Sequence, residues 1–296
     1  MRRSTWRGPL LIAALALLWG SNFAWIKVSL GAFTPAQLTF GRMLLGATVL
    51  CAVIFAQGHR LPSGWPVWGH LTVAALVANA LPYLLFALGE TRVDSSIAGI
   101  ANATTPLWTL ALVAALRHGE AVRGRQVAGF VLGLIGCIVL FAPWDAHAVD
   151  TLGATYCLFA ALSYAVSYVY MARYLAPRNL TPTVLSAAQL TAATGWTLLA
   201  LVPRRDPTSV SSLGPWLALV VLGIAGTGGA YIINYALIRS EGATGASAVT
   251  YLLPVVSVAI GAALLTEPLT LSLVVGTTFI IAGVAASRVR SSGPTT

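Results

Sequence analysis

The sequence predicts an all-α membrane protein: ten transmembrane helices in two inverted five-helix repeats around a central cavity. Three observations carry this prediction. Only 8% of the 296 residues are charged, whereas a soluble domain needs about 25% to cover its surface. Apolar segments of about 20 residues, the length that a bilayer core requires, recur along the whole chain. The two halves also carry the same landmark residues in the same order.

The apolar segments are the predicted membrane spans. They lie at residues 10–30, 35–56, 67–89, 95–116, 124–142, 152–172, 181–202, 214–236, 244–264 and 270–288. The first follows a basic N-terminus as a signal peptide would. It continues to Leu30, however, which is too long for a signal peptide, so we expect it to be retained as a helix.

The arginines predict the orientation of these spans. With the N-terminus in the cytoplasm, the inner segments contain twelve arginines and the outer segments only Arg92, Arg204 and Arg205. The positive-inside rule therefore predicts a multi-pass protein of the plasma (inner) membrane with both termini cytoplasmic. One span more or fewer would place the later arginines on the opposite side of the membrane. The arginine distribution therefore also favours a total of ten spans.

Matching landmarks divide the chain into two predicted domains, residues 1–145 and 146–296. Each half contains an Ala-Leu pair, a proline in the next span and a glutamate after that span. These landmarks are Ala87-Leu88, Pro106 and Glu120 in the first half, and Ala236-Leu237, Pro254 and Glu267 in the second. Because each half holds five spans, an odd number, the second half would insert upside down relative to the first. Chance similarity between apolar helices is the alternative explanation.

These motifs resemble EamA-type members of the drug/metabolite transporter (DMT) superfamily. The likeness rests on Leu18-Trp19-Gly20-Ser21-Asn22-Phe23 with Lys27, on Pro35 and Arg42, and on the two landmark blocks. It covers almost the whole chain, which is most similar to the YddG-type amino-acid exporters. The resemblance implies ten helices, both termini inside, and a cavity lined chiefly by spans 1, 3, 4, 6, 8 and 9.

Polar and aromatic side chains concentrate in those six spans and are the candidate substrate-binding residues. Within a bilayer such groups face the bundle interior or a wet cavity. They are Trp19, Asn22, Asn79, Tyr83, Asn102, Thr105, Tyr164, Tyr168, Tyr231, Asn234 and Tyr251. For any one of them, hydrogen bonding between helices remains an open alternative.

Two cations and three prolines are the predicted gating or structural residues. Lys27 lies near the outer end of span 1 and can snorkel to the interface. Arg42 lies deeper, and we expect it either to bind helix-end carbonyls or to hold part of the outer gate. Pro82, Pro106 and Pro254 each free a backbone carbonyl, which either binds solute or is satisfied by a neighbouring side chain.

Several other features restrict cofactors and partners. Three cysteines in apolar runs and four scattered histidines predict no disulfide framework, metal site or cofactor. The net charge of +9 comes from scattered residues without a basic stripe, so we expect no nucleic-acid partner. The expected partners are the lipid bilayer and a small-molecule substrate. Glycines in spans 5 and 10 predict close helix packing within a monomer, with a dimer contact as the alternative.

The sequence therefore predicts a transporter and not an enzyme. An enzyme would concentrate reactive side chains at one depth, and a channel would need a continuous polar pore. All eight acidic residues lie in loops or at span ends, which favours facilitated export, with proton antiport as the alternative. A small neutral or zwitterionic solute suits the cavity residues. Amino acids, including aromatic ones, fit best, and drugs or other metabolites are the alternative cargo.

Overall fold

Hydrophobic runs and helix-capping residues fix the elements of the structure, which is a computed structural model. It describes residues 7–116, 124–141, 149–175, 178, 180–201, 212–234, 237, 249 and 252–287, and these contain helices but no strand. The α-helices are α1 (Arg7–Ser29), α2 (Pro35–Ala56), α3 (Trp65–Ala75), α4 (Leu81–Glu90), α5 (Ser95–Asn102), α6 (Thr105–Leu116), α7 (Gly124–Phe141), α8 (Thr151–Tyr174), α9 (Pro182–Leu199), α10 (Gly214–Val220), α11 (Leu253–Leu265) and α12 (Leu271–Ser287). Two π-helical segments, π1 (Leu76–Ala80) and π2 (Val221–Gly229), follow α3 and α10.

Five helical segments of the described chain are long and apolar enough to cross a bilayer. They are Leu10–Ser29, Pro35–Ala56, Trp65–Glu90, Thr151–Met171 and Gly214–Asn234. Shorter apolar helices include Leu253–Leu265 and Leu271–Gly283. The predicted span positions agree with these helices, while the total of ten crossings and their orientation stay predictions.

Local chemistry determines where span 2 begins. The Thr34 hydroxyl accepts a hydrogen bond from the Gln37 amide at 3.3 Å, and the Gln37 side chain accepts one from the Thr34 amide at 3.0 Å. Pro35 occupies the first turn, where its missing N–H leaves no bond unmade. The helix therefore starts at the residue where the apolar run starts.

Several spans are interrupted along their length. Span 3 consists of α3, π1 and α4, and Pro82 lies in the first turn of α4. Span 4 breaks at Ala103 and Thr104, directly before Pro106 in the first turn of α6. Because proline cannot donate to the preceding turn, a wider turn or a break in the helix accommodates it.

The interruptions occupy matching places in the two predicted repeats. When Ala87-Leu88 is aligned with Ala236-Leu237, π1 corresponds to residues 225–229, which are the last five residues of π2. Pro254 lies in the first turn of α11, as Pro106 lies in the first turn of α6. This correspondence agrees with the predicted internal repeat, which stays a prediction.

The backbones of α7 and α12 meet at glycines. A methyl group on Gly136 would lie 2.7 Å from the backbone nitrogen of Ile280 and 2.9 Å from the carbonyl oxygen of Gly276. A methyl group on Gly283 would lie 2.6 Å from the carbonyl oxygen of Gly129. The predicted packing of these glycines within one chain is therefore confirmed. The monomeric state stays a prediction.

Replacing Gly136 with alanine should destabilise the protein, because the clashing atoms belong to backbone that cannot rotate away. We expect a loss of about 1–3 kcal/mol, measured as a lower unfolding temperature in detergent. Gly195 of α9 is the matched control, since a methyl group there meets no atom within 4 Å. Gly195→Ala should be neutral or slightly stabilising. Equal unfolding temperatures for the two variants would contradict the packing argument.

Loops predicted to be outside lie together at one end of the bundle. The Glu267 carboxylate accepts a hydrogen bond from the Ser95 amide at 2.8 Å, which joins the loop before α5 to the loop before α12. Arg92 and Asp150 form an ion pair at 3.4 Å, which joins the loops before α5 and before α8. These contacts agree with the predicted alternation of the spans.

Candidate functional site

A cluster of polar and aromatic side chains lies deep in the bundle and joins both halves of the chain. It contains six of the predicted substrate-binding residues together with Arg42 and two residues that the sequence did not single out. We call it the central cluster, and its members are Trp19, Asn22, Arg42, Asn79, Tyr83, Tyr164, Gln189, Thr227 and Tyr231.

Asn79 links both halves through its amide. It lies in π1 and is completely buried. Its oxygen accepts a hydrogen bond from Gln189 at 2.6 Å, and its nitrogen donates to the Tyr231 hydroxyl at 2.9 Å. An unpaired amide would be costly in an apolar interior, so these bonds hold π1, α9 and the helix after π2 in a fixed arrangement.

Arg42 is a buried cation surrounded by neutral groups. It is 4% exposed, its Nε donates to the Thr227 hydroxyl at 2.8 Å, and its guanidinium lies 4.2 Å from the Tyr83 ring centroid. The Asn22 amide is satisfied when its oxygen accepts from Arg42 Nη2 at 2.9 Å and its nitrogen donates to the Leu18 carbonyl at 3.0 Å. Within the described part of the chain, no carboxylate pairs with Arg42.

The other predicted gating cation, Lys27, binds carbonyls at a helix end. The Lys27 ammonium donates to the carbonyl oxygens of Glu90 at 2.9 Å and Val93 at 2.7 Å. We call these two bonds the Lys27 tie. Lys27 therefore connects α1 to the end of α4 and does not simply snorkel.

Aromatic rings line the less buried side of the central cluster. The rings of Trp19 and Tyr231 meet edge to face at 6.5 Å, and those of Tyr83 and Tyr164 at 6.2 Å. Trp19, Tyr164 and Tyr231 are half-buried, whereas Arg42 and Asn79 are buried. The cluster thus has a polar buried side and a partly open aromatic side.

A neighbouring side chain satisfies a carbonyl in π1. The Ser163 hydroxyl of α8 donates to the Val77 carbonyl oxygen at 2.7 Å. In span 8, Thr227 donates to the Leu222 carbonyl at 2.9 Å within π2. Of the two alternatives for carbonyls freed by the prolines, satisfaction by a hydroxyl side chain is therefore seen at Val77, in the turn before Pro82.

Four other predicted substrate-binding residues are described by the structure and are not members of the central cluster. Asn102 and Thr105 flank the break between α5 and α6, and Thr105 is 4% exposed. Tyr168 lies one turn from Tyr164 with 56% of its surface exposed, and Asn234 lies half-buried one turn beyond Tyr231. Tyr251, and the landmark Glu120, lie outside the described residues.

Sequence reasoning missed Gln189 and Thr227. Gln189 is a lone amide in the middle of the apolar span 7. Such a residue in a span usually has a polar partner, so this feature would have identified Gln189 as a candidate. Thr227 stands in a glycine-rich run and gave no comparable signal. Glu90 and Glu267 lie at span ends or in loops as predicted, but the sequence did not indicate that they are buried, with 1% and 9% of their surfaces exposed.

Glu267 caps a helix from the other half of the chain. Its carboxylate accepts hydrogen bonds from the Ser95 and Ser96 amides at 2.8 and 3.0 Å and from the Ser96 hydroxyl. These groups begin α5, where the backbone dipole favours a negative charge. Nearby, partial burial and the Glu267 charge raise the pKa of Asp94 above its ordinary value, although Lys27 opposes this shift.

A membrane-spanning helical bundle with a buried polar cluster shared between its halves is the architecture of a membrane transport protein. The chain belongs to the EamA-like transporter family, whose model matches residues 6–142 and 151–288. This family is part of the DMT superfamily, as the sequence motifs predicted.

Relatives of known name agree with this assignment. The chain is 26% identical over 289 residues to the uncharacterized transporter YvbV of Bacillus subtilis, covering 96% of this chain and 92% of that protein. It is 27% identical to the uncharacterized inner membrane transporter YedA of Escherichia coli, covering 85% and 80%. A solved crystal structure matches 96% of both chains with a TM-score of 0.67 at 25% identity. The protein is thus a membrane transporter.

Proposed function

We propose that this transporter exports small neutral or zwitterionic metabolites, chiefly amino acids including aromatic ones, by alternating access at the central cluster. The observation that carries the proposal is the buried Arg42 guanidinium, which lies beside amide and aromatic groups and has no carboxylate partner among the described residues. A buried cation without a carboxylate partner is costly. A solute carboxylate would supply the missing negative charge and accept charge-assisted hydrogen bonds.

The rest of an amino acid suits the other side of the central cluster. The half-buried rings of Trp19, Tyr164 and Tyr231 offer apolar faces to a solute side chain. The Tyr231 hydroxyl and the Asn79 amide lie beside these rings and can orient polar groups. A purely lipophilic cation would meet Arg42 as a like charge, which disfavours that class of drug.

The interrupted helices favour alternating access. Paired breaks at corresponding places in two halves are typical of secondary transporters, where the broken helices form the solute site and one half rocks against the other. Here π1 carries Asn79 and π2 carries Thr227, so both breaks contribute to the central cluster.

Export and orientation rest on sequence features. The likeness to YddG-type exporters supports movement out of the cytoplasm, and the arginine distribution supports cytoplasmic termini in the inner membrane. The chain contains no nucleotide-binding loop, so movement follows a gradient.

Counterflow of labelled phenylalanine and leucine into proteoliposomes tests the proposal. We expect Trp19→Ala and Tyr83→Ala each to reduce counterflow by about tenfold, since each removes an aromatic contact worth about 1.4 kcal/mol. Trp65→Ala is the control, because Trp65 is 87% exposed at the start of α3, and it should transport at the parent rate.

Two outcomes would contradict the proposal. Full counterflow in both aromatic variants would remove these residues from the site. Absence of amino-acid counterflow in the parent, with transport of a carboxylate-free solute instead, would replace amino acids by the drug or metabolite class.

A further inference from the structure

A second buried carboxylate, that of Glu90, lies at the same end of the bundle as Glu267 and outside the central cluster. Glu90 is the last residue of α4 and is 1% exposed. Neither of its carboxylate oxygens has a hydrogen-bond partner among the residues that the structure describes. It also lies at a helix C-terminus, where the backbone dipole disfavours negative charge. Burial, missing donors and the dipole together favour proton binding by this group.

The carboxylate of Glu267, which lies at the same end of the bundle, has different surroundings from that of Glu90. Both carboxylates are buried, but Glu267 lies at a helix N-terminus and accepts three hydrogen bonds from Ser95 and Ser96. Its carboxylate is therefore held in place by these bonds. The two carboxylates at this end of the bundle thus have opposite surroundings, and of the two only Glu90 lacks hydrogen-bond donors among the described residues.

The charge on Glu90 influences the position of Lys27 more than that of any other described cation. The described titratable and charged groups that interact electrostatically with Glu90 are Lys27, Glu267, Arg42 and Cys157, and Asp94 lies close to Lys27 and Glu267. Arg42 is bonded within the central cluster, and Glu267 is satisfied by α5. Asp94 is only half-buried, so water screens its charge. The charge on Glu90 is the buried, uncompensated one that attracts the Lys27 ammonium.

We propose that Glu90 is a proton-binding site whose protonation releases the Lys27 tie and opens this end of the solute pathway. The inference rests on the proposed function, because it needs a pathway through the central cluster. Tyr83 of that cluster lies on α4 seven residues before Glu90, a distance of about 10 Å along the helix. Phe86 lies between them and contacts Phe23 of α1 and Tyr164 of α8.

Ionised Glu90 keeps Lys27 bound to the end of α4, and this holds α1 against α4. When Glu90 takes up a proton its charge is lost, the attraction disappears, and only the two carbonyl hydrogen bonds remain. The predicted topology places this end outside the cytoplasm. An acidic exterior would therefore favour the state that opens outward.

Native Cys157 reports this opening without any need for transport. It is fully buried beside Gly89, whose added methyl group would lie 2.5 Å from the Cys157 sulfur. In a Cys51→Ser, Cys137→Ser background, a maleimide at mildly alkaline pH, where Glu90 of the parent is ionised, should label Cys157 about fivefold faster in Glu90→Gln than in the parent. A shift of about this size follows when a two-state equilibrium loses one stabilising charge interaction.

Lys27→Met is the decisive companion variant. Removing a negative charge and removing a positive charge change the intrinsic reactivity of a nearby thiol in opposite directions. If Glu90→Gln and Lys27→Met both label faster, opening is the cause and a local charge effect is not. Unchanged labelling in either variant overturns the proposal. Asp94→Asn should label like the parent, and faster labelling there alone would assign the role to Asp94.

Transport at different pH values separates this inference from the proposed function. Parent counterflow should accelerate as the pH of the medium falls, while Glu90→Gln should show the fast rate at every pH. A parent pH profile retained in Glu90→Gln overturns the proton site. If the parent transports no amino acid, the proposed substrate fails, and the Cys157 labelling alone decides the role of Glu90.

Discussion

Arg42→Met is expected to reduce amino-acid counterflow by at least about thirtyfold, while the protein remains folded. Truncating one partner of a buried, hydrogen-bonded charge pair costs about 2–5 kcal/mol, and the lower end of this range already exceeds a tenfold change in binding. In the proposed site, Arg42 is the partner of the solute carboxylate. It also bonds Thr227 of π2 and Asn22 of α1, so its loss removes the link between the two broken regions.

The fold should survive because methionine fills a similar volume without a charge. Replacing a buried ion by an apolar side chain is often neutral or stabilising. The unfolding temperature in detergent measures this directly, and it should match that of the parent or exceed it. Arg92→Met is the control, since the Arg92 side chain is 47% exposed and forms only a surface ion pair with Asp150. It should leave both transport and stability unchanged.

Arg42→Lys separates charge from shape. Lysine keeps the positive charge but loses the planar fork that bonds Thr227 and lies over Tyr83. We expect intermediate counterflow. Normal counterflow in Arg42→Met would show that the solute does not bind at Arg42, whatever the result for lysine.

The sequence predicts the spans well because hydrophobicity and capping are local properties. Span 2 was predicted at residues 35–56 and α2 has these bounds, because the apolar run and the Thr34 capping box coincide. Span 3 was predicted within two residues at its start, but its π-helical segment was not, since π1 depends on how α3 packs around it.

The central cluster could be predicted only in part. Trp19, Asn22, Asn79 and Tyr83 stand out because polar and ring-bearing residues are conspicuous in apolar spans. Which residues pair with them cannot be predicted, because the Asn79–Gln189 bond joins positions 110 residues apart. The burial of Glu90 and Glu267 could not be predicted for the same reason. Both lie at span ends in the sequence, and only the packing of distant elements buries them.

Glu267→Ala is expected to destabilise the protein by about 3 kcal/mol or more, because three donors at the start of α5 would lose their acceptor. Each hydrogen bond to a charged group contributes about 1.5–3 kcal/mol, and the donors at Ser95 and Ser96 are buried. Thr266, with a backbone φ of 55°, turns the chain after α11 so that Glu267 faces inward. Thermal unfolding in detergent measures the loss.

Asp94→Ala provides the matched comparison for this prediction. Asp94 occupies the N-cap position of α5, where an aspartate usually bonds the first turn, yet its side chain makes no capping bond. Glu267, 172 positions from Ser95, performs that role instead. Asp94→Ala should therefore cost less than about 0.5 kcal/mol, well below a working N-cap. A larger loss for Asp94→Ala than for Glu267→Ala would mean that α5 is capped locally and that Glu267 does not join the two halves.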